Sequence, residues 1–257
     1  MTSEQWEAFC NFRIQMKDLC QNWLILAPKL APLQQEASKK DTPPYPLQTA
    51  VVYNTAYDSV TINDQIRLIV IGDNPGKEEQ LEKNRKYLVG QSGRIAEGFF
   101  KRHPEFNIDF RKNAIIVNKT PIHTAKTAHL RYLAKNGDSS VRELLVDSQL
   151  KMARLTAELH QKMIEGTDCP ENAPQLWLVG YTELKDRGIF VPYREELKAS
   201  YLPKNTNAWS RVFVFQHFSM NCFTKDLGKR QAETGSNNLV QLVKDIGTDH
   251  KNEIFSI

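Results

Sequence analysis

The sequence predicts an α/β fold, a parallel sheet covered by helices on both faces. Residues 66–71, 114–117, 176–179 and 212–215 are continuously apolar and rich in branched residues, as strands buried on both sides must be. The segments between them place apolar residues at helical spacing and so supply the crossovers that parallel strands require. With 257 residues, 40% of them hydrophobic and 25% charged, the chain has the composition of a folded globular protein and the length for one large domain or two small ones.

In chain order, a first helix is expected over residues 4–26, where Trp6, Phe9, Cys10, Ile14 and Leu19 recur at helical spacing. Residues 28–46 hold five prolines and several charges, and read as a loop or linker. After the first strand, residues 94–101 set Ile95, Phe99 and Phe100 on one side. Residues 141–164 do the same with Leu144, Leu145, Met152, Leu155, Leu159 and Met163. A last helix is expected over 237–246, carrying Leu239, Leu242 and Val243, and surface loops over 38–42 and 203–207. The economical division is an α/β domain over residues 61–257, with a helix and Pro-rich loop over 1–60 packed on its core.

No apolar run reaches the roughly 18 residues of a membrane helix, and Glu4 and Glu7 stand where a secretory leader would be basic and then apolar. The expectation is a cytoplasmic protein without a membrane partner. Cys10, Cys20, Cys169 and Cys222 form no CxxC and have no histidine at ligand spacing, so reduced thiols are expected and no metal. Net charge is only +4, but residues 77–135 hold 13 Lys and Arg against 6 Asp and Glu. That basic segment gains meaning only beside a site.

Ligands of open parallel sheets bind beyond the carboxyl ends of the strands. The first strand runs into Gly72-Asp73-Asn74-Pro75-Gly76-Lys77, the second into Asn118-Lys119-Thr120-Pro121, and the fourth into His217-Phe218-Ser219-Met220-Asn221. A carboxylate, two amides and an imidazole are thereby brought to three strand ends.

In these residues the chain resembles the uracil-DNA glycosylase superfamily, over roughly residues 66–245. Residues 69–76 are similar to its strand and Gly-x-x-Pro-Gly turn, and 88–93 to its Phe-Val-Gly-x-x-Gly segment. Residues 114–119 are similar to the strand ending in the base-reading Asn, and 217–221 to its His-Pro-Ser motif, with Phe218 in place of the proline. The resemblance implies a three-layer α/β/α domain around a four-stranded parallel sheet. The activity it implies is that of a monofunctional DNA glycosylase of base excision repair, a hydrolase that flips a deaminated base out of the stack and cleaves its N-glycosidic bond.

By this resemblance Asp73 and Asn74 share the water-handling position. An amide can hold a water, whereas a carboxylate can also accept its proton. Asn118 would read the base edge, its donor and acceptor suiting uracil O4 and N3–H. His217 would donate to uracil O2 as charge builds on the departing base. Leu88 stands where one branch stacks a Phe beneath the base, leaving stacking to Tyr87 or another residue. Gly76, Lys77, Ser92 and Ser219 would grip phosphates. Met220 or Asn221 would be the wedge that fills the gap left by the flipped nucleotide. The partner implied is damaged or uracil-containing DNA. No cofactor is implied, since no cysteines match the iron–sulfur spacing of one branch. Two rivals keep the same strand ends, a non-catalytic nucleic-acid-binding protein and a nucleoside- or nucleotide-acting enzyme.

Overall fold

The computed structural model describes residues 1–256. Its centre is a four-stranded, all-parallel sheet, β1 (Leu68–Gly72), β2 (Ala114–Asn118), β3 (Gln175–Val179) and β4 (Val212–Phe215), in the order β2-β1-β3-β4. Alternate residues of each strand feed two separate cores. Ile69, Ile71, Ile115, Val117, Leu176, Leu178, Val212 and Val214 face one. Leu68, Val70, Ile116, Trp177, Val179, Phe213 and Phe215 face the other. Both sides are buried, which is why the strands read as unbroken apolar runs.

The first core is covered by α1 (Ser3–Leu24), α2 (Ala27–Lys39), α4 (His129–Asn136), α5 (Ser139–Glu165), α6 (Val191–Tyr201) and α7 (Thr206–Ser210). The second is covered by α3 (Gln91–Arg102), α8 (Cys222–Thr234) and most of α9 (Leu239–Phe255). The result is the expected three-layer α/β/α fold. Local signals start the long helices. Thr2 and Gln5 form a capping box on α1, and the Asp138 side chain accepts the Val141 N–H at the head of α5.

Residues 28–46 are not the loop expected from their prolines, because α2 occupies most of the stretch. Pro28 falls in the first turn, where a helix needs no N–H, and Pro32 is tolerated further in because Leu30, Gln34, Ala37 and Ser38 are buried. Tertiary packing outweighs the missing hydrogen bond. Ser38, expected on a surface loop, is thus helical, and the expected loop over 203–207 gives way to α7 at Thr206. The short helices α4, α6 and α8 add cover that apolar periodicity did not reveal.

Candidate active site

A cleft of about 710 Å³ opens at the carboxyl ends of the strands. It lies where β1 connects to β2 on one side and β3 continues on the other, the position at which parallel sheets bind ligands. Asp73, Asn74, Gly76, Lys77, Leu88, Ser92, Asn118, His217, Ser219 and Met220 all line it.

Beneath the cleft lies an ion pair absent from the sequence reading. The Lys119 ammonium is fully buried and donates to Asp73 Oδ1 at 2.6 Å, to the Gly72 carbonyl at 3.4 Å and to the Val179 carbonyl, with the Phe190 ring 4.9 Å away. Burial pulls its pKa below the usual lysine value and the Asp73 charge pulls it back. Three acceptors for three N–H groups keep the charged form satisfied. Asp73 Oδ2 accepts from the Thr127 hydroxyl at 3.1 Å. Gly180, after β3, must be glycine: its φ is +100°, and a Cβ there would collide with the Asp73 carboxylate. Asp73 is therefore tied into a structural network, which corrects its assignment as a free water-activating base.

Asn74 is placed differently. Its Nδ2 donates to Thr124 Oγ1 at 2.9 Å and lies near the Ile122 and Thr124 carbonyls, while Oδ1 has no partner among the described residues. The turn that carries it is clamped from behind. His123, fully buried, donates through Nδ1 to the Pro75 carbonyl at 2.9 Å and receives the Tyr45 hydroxyl on Nε2. Burial lowers its pKa to about 4, so it acts as a neutral strut.

Asn118, paired in register with Gly72, is 2% exposed, yet its side-chain amide makes no hydrogen bond within the described structure. Unlike Thr156 Oγ1 or Tyr193 Oη, which are buried without a partner, its amide atoms stay accessible from the cleft, where a ligand or water can complete them. His217 accepts the Ser219 backbone N–H on Nδ1 at 3.1 Å and has the Ser219 hydroxyl 2.7 Å from the same atom. The ring proton of the neutral form is thereby placed on Nε2. Burial lowers the His217 pKa, with Asp73 opposing and Lys119 assisting, so the neutral form prevails at pH 7.

Three further assignments need correction. Tyr87 does not reach the cleft: its ring is buried against Tyr57 and its hydroxyl donates to the Val52 carbonyl at 2.6 Å. Leu88, at φ +51°, is the residue of this strap that turns to the cleft. The Ser219 hydroxyl is held against His217 rather than free for phosphate. Asn221 sits at the head of α8 outside the cleft lining, whereas Met220, 76% exposed at φ +56°, stands on its rim. Lys119, Thr127 and Glu79 were missed: Lys119 follows Asn118 at a recognised strand end but was given no role, and Thr127 and Glu79 lie in segments that read as ordinary surface.

Among the described residues, no group of His, Cys, Asp or Glu could hold a metal, and no helix is long and apolar enough to cross a membrane. Compared with family models, curated proteins and solved structures, the chain matches none.

Proposed function

We propose that the protein is a DNA glycosylase that hydrolyses the N-glycosidic bond of a flipped, deaminated base, uracil being the base its site suits. The observation that carries this reading is the unpartnered Asn118 amide, sharing one cleft with the Nε2–H of a neutral His217 and the free Oδ1 of Asn74. The cleft volume lies in the range of sites that enclose a nucleotide-sized ligand.

In this mechanism the flipped base enters against Leu88, and the Asn118 amide pairs with its O4 and N3–H, completing the hydrogen bonds that are open without it. As the C1′–N bond lengthens, negative charge gathers on the base and the His217 Nε2–H meets it at O2. Such a donor is worth about 3 to 4 kcal/mol when it strengthens in the transition state. Asn74 Oδ1 holds the attacking water. Ser219 fixes the His217 tautomer, and the exposed Met220 supplies an apolar wedge for the vacated stack. Lys77 at the cleft, with Arg85 and Arg94 nearby in sequence, would meet phosphates and offset the few kcal/mol that flipping costs.

The test is incubation of the pure protein with labelled oligonucleotides carrying one uracil, hypoxanthine or xanthine, followed by alkaline cleavage of abasic sites. Strand breaks at the modified base are expected. Binding without breaks would favour a non-catalytic nucleic-acid-binding protein, and neither binding nor breaks would remove DNA as the substrate.

A further inference from the structure

Four carboxylates line the cleft: Asp73, Glu78, Glu79 and Glu183. Asp73 has both oxygens engaged by Lys119 and Thr127. Glu183 is gripped by both ends of the Arg131 guanidinium, at 3.0 and 2.6 Å. Glu78 is exposed. Glu79 alone is both buried, at 8% exposure, and incompletely satisfied. Its Oε1 accepts the Gly90 N–H at 3.1 Å, and its Oε2 has no partner among the described residues.

That free oxygen lies over the turn that presents Asn74, since a Cβ on Gly76 would stand 2.9 Å from it. Asn74 can orient a water but has no basic atom to take its proton. The one carboxylate oxygen left open in the buried part of the cleft, among the described residues, lies against Gly76, two residues along the same turn.

We propose that Glu79 is the proton acceptor of this site, taking the proton of the water that Asn74 holds. This rests on the glycosylase reading. In the step, a lone pair of the water oxygen forms the bond to C1′. The C1′–N bond breaks, and its electron pair leaves with the base, whose negative charge meets the His217 Nε2–H. The water proton passes to Glu79 Oε2 and is later released to solvent. No further reactant is needed.

The competing role for Glu79 is structural, because Gly90 heads α3 and that helix has no other side-chain cap. Glu79→Gln separates the two roles: it keeps an oxygen for the Gly90 N–H and removes the basic group. Single-turnover cleavage of a uracil oligonucleotide should slow by about 10²-fold or more, the usual contribution of a general base. The enzyme concentration giving half-maximal rate should stay unchanged, and the acidic limb of the pH–rate profile should vanish. If Glu79→Gln is unstable, Glu79→Ala assayed with added formate replaces it, and restoration of rate by formate is expected. A parent rate and pH profile in Glu79→Gln, or absence of formate rescue in Glu79→Ala, overturns the assignment while leaving the glycosylase reading intact. A parent protein that removes none of the tested bases overturns both.

Discussion

Replacing Lys119 by methionine isolates what the ion pair beneath the cleft contributes. Methionine keeps the unbranched apolar stem and deletes the ammonium. The change strands Asp73 Oδ1 and the Val179 carbonyl at the end of β3, while the Gly72 carbonyl at the end of β1 keeps the Lys119 backbone N–H at 3.0 Å. Removing one partner of a buried pair typically costs about 3 to 5 kcal/mol, because the remaining charge loses its compensation. The orphaned Val179 carbonyl pushes the cost upward by about 1 kcal/mol or more. Water reaching Asp73 through the cleft pushes it back, so the expected loss is about 4 kcal/mol. In a domain of this size each kcal/mol moves the melting temperature by about 2 to 4 °C, so a fall of roughly 8 to 16 °C follows. Urea and thermal unfolding at pH 7, followed by circular dichroism, measure it. Asp73→Asn in the same background removes the stranded charge, so the double variant should be less unstable than the two single losses added, by about 1 to 3 kcal/mol. A Lys119→Met loss below about 1 kcal/mol, or strict additivity, would refute the pair as the tie between these strand ends.

Asn118→Asp keeps the shape of the amide but replaces its donor by an acceptor. It should move preference from uracil towards cytosine by about 1 to 3 kcal/mol, and full uracil activity in a folded variant would exclude Asn118 as the reader of the base. His217→Ala should slow cleavage of every accepted base by about 10²- to 10³-fold with binding nearly intact. Ser219→Ala should lose less, since the backbone N–H still orients the ring; a Ser219 effect equal to that of His217 would show a second role for the hydroxyl. Stability should depend on pH through His123 and His160, both held by burial at about 4. Their folded pKa values lie below the unfolded value near 6.5, so stability is full above about pH 6.5 and falls as pH drops towards 4. Each contributes about 3 kcal/mol, and equal urea midpoints at pH 7 and pH 4.5 would contradict this. DNA affinity should fall with salt by a log–log slope of about 0.7 to 0.9 per phosphate neutralised, and a salt-independent affinity would sink the proposed phosphate contacts.

What was legible in the sequence was whatever one segment states by itself. Each strand is an unbroken apolar run that ends in polar residues, so Asn74, Asn118 and His217 could be placed at one edge without knowing which strands are neighbours. Where several segments jointly define a residue's surroundings, the reading failed. A lysine after a strand reads as solvent-exposed, and what buries Lys119 is a pair of carbonyls from β1 and β3, which no side-chain pattern records. Tyr87 and Leu88 are adjacent, and the left-handed backbone at Leu88 that sends them to opposite sides is not written in either residue. Glu79 sits in a Lys-Glu-Glu-Gln run that looks like a solvated face until the fold brings Gly90 against it.

The same division explains how the site holds together. Strand order β2-β1-β3-β4 puts the ends of β1 and β3 side by side with the end of β2 next to β1, and Lys119 from β2 reaches across to both. The side chain that a sequence reading would assign to solvent thus fixes the spacing of the strand ends. The side chains facing the cleft are left with open hydrogen-bonding atoms, Asn74 Oδ1, the Asn118 amide, His217 Nε2 and Glu79 Oε2. Unpaired polar atoms also occur outside the cleft, among them Gln34 Oε1, Thr156 Oγ1 and Tyr193 Oη, but those are sealed in the fold, whereas the cleft atoms stay within reach of a ligand or water. Asn118, its unbonded amide reachable from the cleft and next in the chain to the Lys119 that ties the strand ends, therefore stands where the residues that hold the fold give way to those that face the cleft.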